Sequence, residues 1–209
     1  PYLGTKYSNE EVKEYFQPFI SQIDYTFFTN EKLLYEKTVE VLLSDGVIGW
    51  FQGKMEFGPR ALGNRSILAD PRNANMKDII NKKIKKRENF RPFAPSILQE
   101  EKYNWFEKNS FENLYMSSVE NIKKNKSKYI QAVTHVDGTG RVQDVSKDIN
   151  PKFHGLISEF YKKTGIPILL NTSFNENEPV VRTPKEAIDC LLRTDMDALI
   201  IENFLIKKK

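Results

Sequence analysis

Two kinds of apolar pattern alternate along the 209-residue chain, and their alternation constrains the fold more than any other feature. Across residues 151–163, apolar side chains recur at helical spacing, and Gly165 then ends the predicted helix. Residues 166–170 follow as a mostly apolar run, and residues 47–51 form another, which is typical of buried strands. Because helices and strands are interspersed, the sequence predicts an α/β (or α+β) fold with a mixed sheet.

Helix-capping residues and short apolar runs predict the remaining elements. Ser8 with Glu11 has the form of a capping box, and Asn30 and Thr183 can cap two further helices. Another helix is expected over residues 76–84, a helical turn after Pro59, and a hairpin around the glycine turn at 138–140. Strands are predicted at 65–68, 92–98, 114–119, 132–136, 141–145 and 198–201.

Composition narrows the class of protein. The chain carries 32 Lys and Arg against 28 Asp and Glu, and a net charge of +4 does not by itself imply nucleic acid. A mean hydropathy of -0.55 and the lack of a long apolar run argue against a membrane span. The single cysteine excludes an intramolecular disulfide, so we expect an intracellular, cytoplasmic protein.

We expect one domain over residues 1–209, with residues 1–29 as an N-terminal linker segment. The chain starts without Met, so it could be part of a longer polypeptide.

A Gly-rich basic segment is the first candidate site. Lys54, Arg60 and Arg65 lie in one stretch after the buried run at 47–51, and its glycines permit unusual backbone angles. Fixed cations and exposed backbone N–H groups are what a polyanion such as a triphosphate requires. Spacing alone leaves an alternative equally open, in which the segment is a solvated loop with surface ion pairs.

Three other segments carry further candidates. Asn171 and Ser173 directly follow the apolar run at 166–170, and the carboxyl end of a strand is where open α/β sheets bind ligands. Arg141 lies just after a glycine turn, and Arg87 and Arg91 lie close to two prolines. The alternatives are an ordinary turn for the first segment and a cross-strand ion pair for Arg141.

Four sequence blocks resemble one protein family. Residues 51–67, 90–95, 135–143 and 171–175 are similar, in the same order, to blocks of the O-carbamoyltransferases of the nodulation and antibiotic-tailoring type. The resemblance runs from about residue 46 to the C-terminus. It implies a YrdC-like domain, an open twisted mixed sheet with flanking helices, and an upstream actin/hexokinase-like domain that is absent from this chain.

The resemblance also implies an activity. The YrdC-like domain would bind ATP and carbamoyl phosphate and form carbamoyl adenylate, and the upstream domain, which holds a metal, would transfer the carbamoyl group to a hydroxyl acceptor. Mg²⁺ would arrive with ATP rather than occupy a protein metal site. Carried over by motif, the site would contain Lys54 and Arg60 as catalytic residues, with Arg141, Asn171 and Ser173 binding ATP and the carbamoyl group, and Arg65, Arg87 and Arg91 as further candidates.

Two other functions remain open at this point. The chain could be a tRNA-associated YrdC-like binding module, although its mild charge makes nucleic acid an unlikely partner. It could also be a non-catalytic docking domain that completes its partner. The sequence does not identify the acceptor.

Overall fold

A computed structural model describes residues 1–86, 91–108 and 111–209. The predicted caps at Ser8, Asn30 and Thr183 are confirmed, since each side chain accepts a backbone N–H of the first helical turn. The helices in the described ranges are α1 (Asn9–Glu14), α2 (Glu31–Leu43), α3 (Met76–Ile80), α4 (Lys102–Trp105), α5 (Pro151–Thr164) and α6 (Pro184–Arg193).

A large mixed sheet forms the centre of the protein, which confirms the predicted fold class. Its order is β1-β10-β9-β2-β3-β8-β4-β7, and a separate two-stranded sheet pairs β5 with β6. The β2–β9 and β4–β7 pairs are parallel, and the other ladders are antiparallel. The strands are β1 (Ile23–Phe27), β2 (Ile48–Phe51), β3 (Arg65–Ala69), β4 (Ala94–Leu98), β5 (Glu120–Asn121), β6 (Thr139–Gly140), β7 (Gln143–Val145), β8 (Ile168–Ser173), β9 (Ala198–Ile201) and β10 (Phe204–Lys208).

The helices cover the sheet and bury its apolar side chains. Helix α5 packs against α2 and against strands β4 and β8, while α6 packs against β2 and β9. Strands β2, β3 and β9 are buried along their whole length, which explains the continuous apolar sequences of β2 and β9. Trp50, Phe153 and Phe174 are fully buried between these layers.

Several element predictions are wrong. Residues 114–119 form turns, and residues 131–133 form a short 3₁₀ turn rather than a strand. Ala132 and Val133 are nevertheless fully buried, so their apolar pattern reflects burial and not strand pairing. The expected hairpin is also wrong, because β6 pairs with β5 while β7 pairs with β4. No helical turn follows Pro59. Beyond α3, residues Asn81–Lys85 continue as a π-helical turn that ends at Lys86.

The N-terminal 29 residues, which we expected to be a linker, belong to the folded body. Strand β1 pairs with β10 along its length, from Ile23 opposite Lys208 to Phe27 opposite Phe204. Val12 and Phe16 are buried in the main core. Their burial and pairing replace the linker interpretation. Across the described ranges, no helix combines the length and apolarity needed to cross a membrane.

Candidate anion-binding site

One buried carboxylate fixes the path of the Gly-rich loop. Glu56 Oε1 accepts hydrogen bonds from the backbone N–H groups of Leu62 at 2.7 Å, Asn64 at 2.8 Å and Arg65 at 3.1 Å. The carboxylate is buried, so these charge-assisted bonds are stronger than ordinary ones. They hold residues 57–63 as a defined loop, and this is the physical reason that no helical turn forms after Pro59.

Gly63 sets the position at which the loop returns to the core. Its φ is +93°, and a Cβ at this position would lie 2.0 Å from Cδ1 of Phe153. Its carbonyl oxygen accepts a hydrogen bond from Trp50 Nε1 at 2.9 Å. Only glycine allows both the backbone angle and the close approach to α5.

A pocket of about 140 Å³ lies where this loop meets the ends of strands β4 and β8. It brings together four residues that the sequence singled out, Arg60, Arg141, Asn171 and Ser173. We call it the arginine pocket. The net charge of the lining in the described part of the chain is therefore set by its two arginines. The other lining residues carry no charge: Pro59, Ala61, Pro92, Phe93, Ala94, Met116 and Thr172.

Asn171 is held in place by the framework around it. Its Nδ2 lies 3.0 Å from Ser96 Oγ, 3.2 Å from Gln143 Oε1 and 3.2 Å from the carbonyl oxygen of Ala61. Its buried Oδ1 has no hydrogen-bond partner among the described residues. The amide orientation is therefore fixed, and one buried acceptor oxygen is left unpaired by the described residues.

Arg141 supplies a partly buried cation close to a second one. Burial lowers the pKa of its guanidinium, and the charge of Arg60 lowers it further. Arg141 Nε is buried and lacks a hydrogen-bond partner within the described ranges. An anion between the two guanidinium groups would offset both the desolvation and the mutual repulsion.

Lys85 is a residue of the site that the sequence did not single out. Its Nζ lies 2.7 Å from the carbonyl oxygen and 3.3 Å from Oγ of Ser173, and it also contacts the carbonyl oxygen and Oδ1 of Asn175. The helix predicted over residues 76–84 stops one residue short of Lys85. In the structure, a π-helical turn over Asn81–Lys85 continues from α3, and the Lys85 side chain is buried against the end of β8.

The structure places Arg65 and Lys54 away from the arginine pocket. Arg65 is fully buried, donates to the carbonyl oxygens of Gln52 and Asn64, and stacks 3.5 Å from the centre of the Phe51 ring. Burial lowers its pKa to about 10, and its contacts make it an internal brace. Lys54 lines a different cavity. Arg91 is exposed beside the pocket residue Pro92, and Arg87 lies outside the described residues.

The described residues contain no group of three His, Cys, Asp or Glu side chains placed to hold a metal ion. The arginine pocket instead offers two guanidinium forks, a buried amide and the hydroxyls of Thr172 and Ser173. This set of donors suits a small anion with an attached amide or hydroxyl group.

Sequence comparisons identify relatives of the chain. The model of the carbamoyltransferase C-terminus family matches residues 39–208. The chain is 51% identical to nodulation protein NolNO of Sinorhizobium fredii, over 83% of the chain and 26% of that protein. It is 40% identical to 3'-hydroxymethylcephem-O-carbamoyltransferase of Amycolatopsis lactamdurans, over 75% of the chain and 29% of that enzyme. The chain thus spans about a quarter of the length of these relatives.

Solved structures share the fold at low sequence identity. E. coli YciO aligns over 84% of the chain and 80% of its own length, with a TM-score of 0.52 and 17% identity. Full-length HypF in its phosphate- and nucleotide-bound form aligns over 83% of the chain and 21% of its own, with a TM-score of 0.53 and 15% identity. Together with the match over residues 39–208, these alignments show that the chain belongs to the carbamoyltransferase C-terminus family and has a YrdC-like fold.

Proposed function

We propose that this chain is the ATP- and carbamoyl-phosphate-binding part of an O-carbamoyltransferase, and that it forms carbamoyl adenylate. The single observation that carries the proposal is the meeting of Arg60, Arg141, Asn171 and Ser173 in one pocket. An upstream actin/hexokinase-like domain would then transfer the carbamoyl group to a hydroxyl acceptor. We place the reaction in the cytoplasm, where ATP is supplied.

The pocket size suggests which part of the substrates it holds. A volume of about 140 Å³ is well below the ~300–1,000 Å³ typical of sites for drug-sized ligands. Carbamoyl phosphate, or carbamate beside one phosphoryl group, is small enough to occupy a pocket of this volume. The rest of the nucleotide would extend from the pocket mouth, and Mg²⁺ would accompany its phosphates.

The proposed chemistry requires no side-chain nucleophile. Water hydrolyses carbamoyl phosphate to carbamate and phosphate. A carbamate oxygen then attacks the α-phosphorus of ATP, and the bond to the bridging oxygen of the β-phosphate breaks, releasing pyrophosphate. Arg60 and Arg141 would stabilise the negative charge that develops on the phosphoryl oxygens, a contribution typically worth about 3 kcal/mol per donor.

Asn171 gives the pocket a means to recognise the carbamoyl group. The carbamoyl NH₂ is a donor, and Asn171 Oδ1 is a buried acceptor without a partner in the described part of the chain. An inorganic anion could use the arginines but not this oxygen. The names of the relatives support the same substrate class, because one is a cephem O-carbamoyltransferase and HypF was solved with phosphate and nucleotide bound.

Isothermal titration of the 209-residue chain with carbamoyl phosphate and a non-hydrolysable ATP analogue tests the proposal. We expect Arg60→Ala and Arg141→Ala to weaken binding by about tenfold or more each, because each removes a charge-assisted bond. Arg182→Ala is the matched control, since this arginine is exposed and its guanidinium lies 3.2 Å from Glu186 of α6. Unchanged affinity in both pocket variants would refute the site. Salt-sensitive binding to tRNA without nucleotide binding would instead favour a nucleic-acid module.

A further inference from the structure

Met116 lines the arginine pocket in a backbone conformation that its residue type rarely adopts. Its φ is +54°, in the left-handed region, where a long side chain crowds its own backbone. The side chain is nevertheless only 5% exposed. The rest of the described lining comes from residues 59–61, 92–94, 141 and 171–173, so Met116 is contributed by a separate loop. Such strain persists where the surrounding structure enforces it, and it is often found at ligand sites.

A buried asparagine closes the loop that carries Met116. Asn113 Nδ2 donates to the carbonyl oxygen and to Oγ of Ser118, each at 2.9 Å. Asn113 Oδ1 accepts the backbone N–H of Ser117 at 2.8 Å. These bonds draw the two ends of the loop together, and the left-handed residue lies between them. We call residues 113–118 the methionine loop.

The methionine loop is anchored to the strand that follows Arg141. The backbone N–H of Asn113 donates to Asp144 Oδ2 at 2.7 Å, and the backbone N–H of Asp144 donates to the carbonyl oxygen of Asn113 at 3.0 Å. Asp144 is a buried residue of β7, and its Oδ2 also lies 2.8 Å from Lys102 Nζ. The loop and Arg141 are therefore both held by the same edge of the sheet, which sets the position of Met116 relative to the cation.

Met116 belongs to a small apolar cluster at the pocket. It packs with Leu62 and Ala94, and Tyr2 packs against all three as a group. Tyr2 Oη donates to the carbonyl oxygen of Leu62 at 2.8 Å, which ties the cluster to the end of the Gly-rich loop. An unbranched methionine fills irregular space well. Shortening it would therefore enlarge a pocket of about 140 Å³ without removing any of its polar groups.

We propose that Met116 is a specificity-determining residue of the arginine pocket. Its side chain restricts the pocket to anions whose phosphoryl group carries a substituent of about carbamoyl size, and it excludes larger acyl and aryl groups. The inference rests on the proposed function for the class of ligand, and it adds the residue that limits ligand size. Asn171 selects by hydrogen bonding, whereas Met116 selects by volume, so the two contributions can be measured separately.

Isothermal titration of the 209-residue chain with methylphosphonate and phenylphosphonate tests the proposal, because the two probes share an anionic group and differ in size. We expect the unsubstituted chain to bind methylphosphonate about tenfold or more tightly than phenylphosphonate. Met116→Ala should reduce this preference by about fivefold or more, because it admits the larger probe. Met76→Ala is the matched control, since Met76 is also buried but lies outside the pocket lining, and it should leave the preference unchanged.

Two further variants separate selectivity from folding. Met116→Gly relieves the left-handed backbone and should lose the size preference in the same way as Met116→Ala. Met116→Leu, which has a similar volume, should keep it. An unchanged preference in both the Ala and Gly variants would overturn the role of Met116 and leave the proposed function standing. Failure of the unsubstituted chain to bind carbamoyl phosphate and both probes, or full methylphosphonate binding by Arg141→Ala, would instead refute the arginine pocket as the anion site and the role of Met116 with it.

Discussion

Glu56 shows how one side chain can determine the geometry of a binding loop. Its Oε1 accepts three backbone N–H groups across the loop, and the carboxylate is almost completely buried. If those three donors had no acceptor, the folded state would lose more free energy than the three hydrogen bonds contribute to stability. The reason is the desolvation penalty of a buried donor without a partner. The position of Arg60 at the arginine pocket therefore depends on a carboxylate that does not line it.

We predict that Glu56→Ala lowers the free energy of unfolding by about 2–4 kcal/mol, because it leaves buried N–H groups unpaired. Glu56→Gln should cost less, since its amide oxygen can still accept. Urea unfolding measures both variants. Half-buried Glu36, whose contact to Lys32 is 3.9 Å long, provides the control Glu36→Ala, for which we expect a loss of less than about 0.5 kcal/mol. Equal effects at the two positions would contradict the role given to Glu56.

The sequence predicts the residue types of the site better than it predicts their positions in space. The basic and amide residues were found from their types and from the family blocks, and four of them meet in the arginine pocket. Their grouping was not predictable, because the loop between Lys54 and Arg60 is directed by hydrogen bonds to Glu56 and by the contact of Gly63 with Phe153. These interactions join residues whose spacing carries no signal.

At the scale of elements, the N-terminal segment is as much part of the core as the central strands. The Phe16 ring packs against the rings of Tyr25 and Phe204, and its centroid lies 5.0 Å from each of theirs. Strand β1 supplies the outer neighbour of β10. Removing this segment would leave the outer edge of β10 unpaired, and a free strand edge is prone to non-native pairing.

We predict that Phe16→Ala lowers the free energy of unfolding by about 3–5 kcal/mol, because it opens a cavity at a side chain that is 1% exposed. Ile20→Ala is the control in the same segment, since Ile20 is 45% exposed and should cost less than about 1 kcal/mol. Urea unfolding at pH 7 compares the two. A small effect at Phe16 would restore the linker interpretation.

A buried ion triad joins α4 to two strands. Lys102 Nζ lies 2.9 Å from Glu120 Oε1 and 2.8 Å from Asp144 Oδ2, and all three side chains are buried. Burial raises the pKa of Asp144, although its bonds to Lys102 and to the Asn113 N–H act in the opposite direction. The triad therefore contains two carboxylates that depend on one ammonium.

We predict that Lys102→Met lowers the free energy of unfolding by about 3–5 kcal/mol at pH 7, because two buried carboxylates lose their counter-ion. The pKa of Asp144, already raised by burial, would rise further in the folded variant. A carboxyl group with a raised folded pKa loses stability as the pH rises, so the deficit should shrink between pH 7 and pH 5. Urea unfolding at both values measures it, with the exposed Lys124→Met as control. A deficit that grows as the pH falls would contradict this account.

Helix caps were predictable because their signal is local, whereas the short strands were not. Strands β5 and β6 have two residues each, and they exist because Glu120 and Gly140 come together in the tertiary structure. The same limit applies to Lys85, whose burial follows from the π-helical turn at Asn81–Lys85. Local patterns report periodicity and burial, but they do not report which partner a short segment will meet.

At the scale of the whole molecule, the sheet has a protected centre and two edges. Strands β2, β3 and β9 are fully buried and lie in the middle of the order, while β1 and β7 form the ends. Four of the five residues of β1 are exposed.

We predict that backbone amides of β2, β3 and β9 exchange with solvent most slowly and that those of β1 exchange faster, because edge strands open at a lower free energy. Hydrogen exchange followed by mass spectrometry measures the order. Saturating carbamoyl phosphate should further slow exchange near Asn171 and leave β1 unchanged. Slower exchange in β1 than in β2 would be inconsistent with this description of the sheet.

The strand order also bears on how the chain is made. Strand β2 has β9 as its parallel neighbour, with Ile48 opposite Ala198, so β2 must wait for the much later strand β9 to be synthesised. Until then β2 has an unpaired edge, and β1 has no β10 to join. Pairings between distant parts of a chain form slowly and leave apolar edges open to aggregation. On the ribosome, the sheet would be completed only after β9 and β10 have been synthesised, and chaperones that shield nascent strands should therefore raise the yield of the protein.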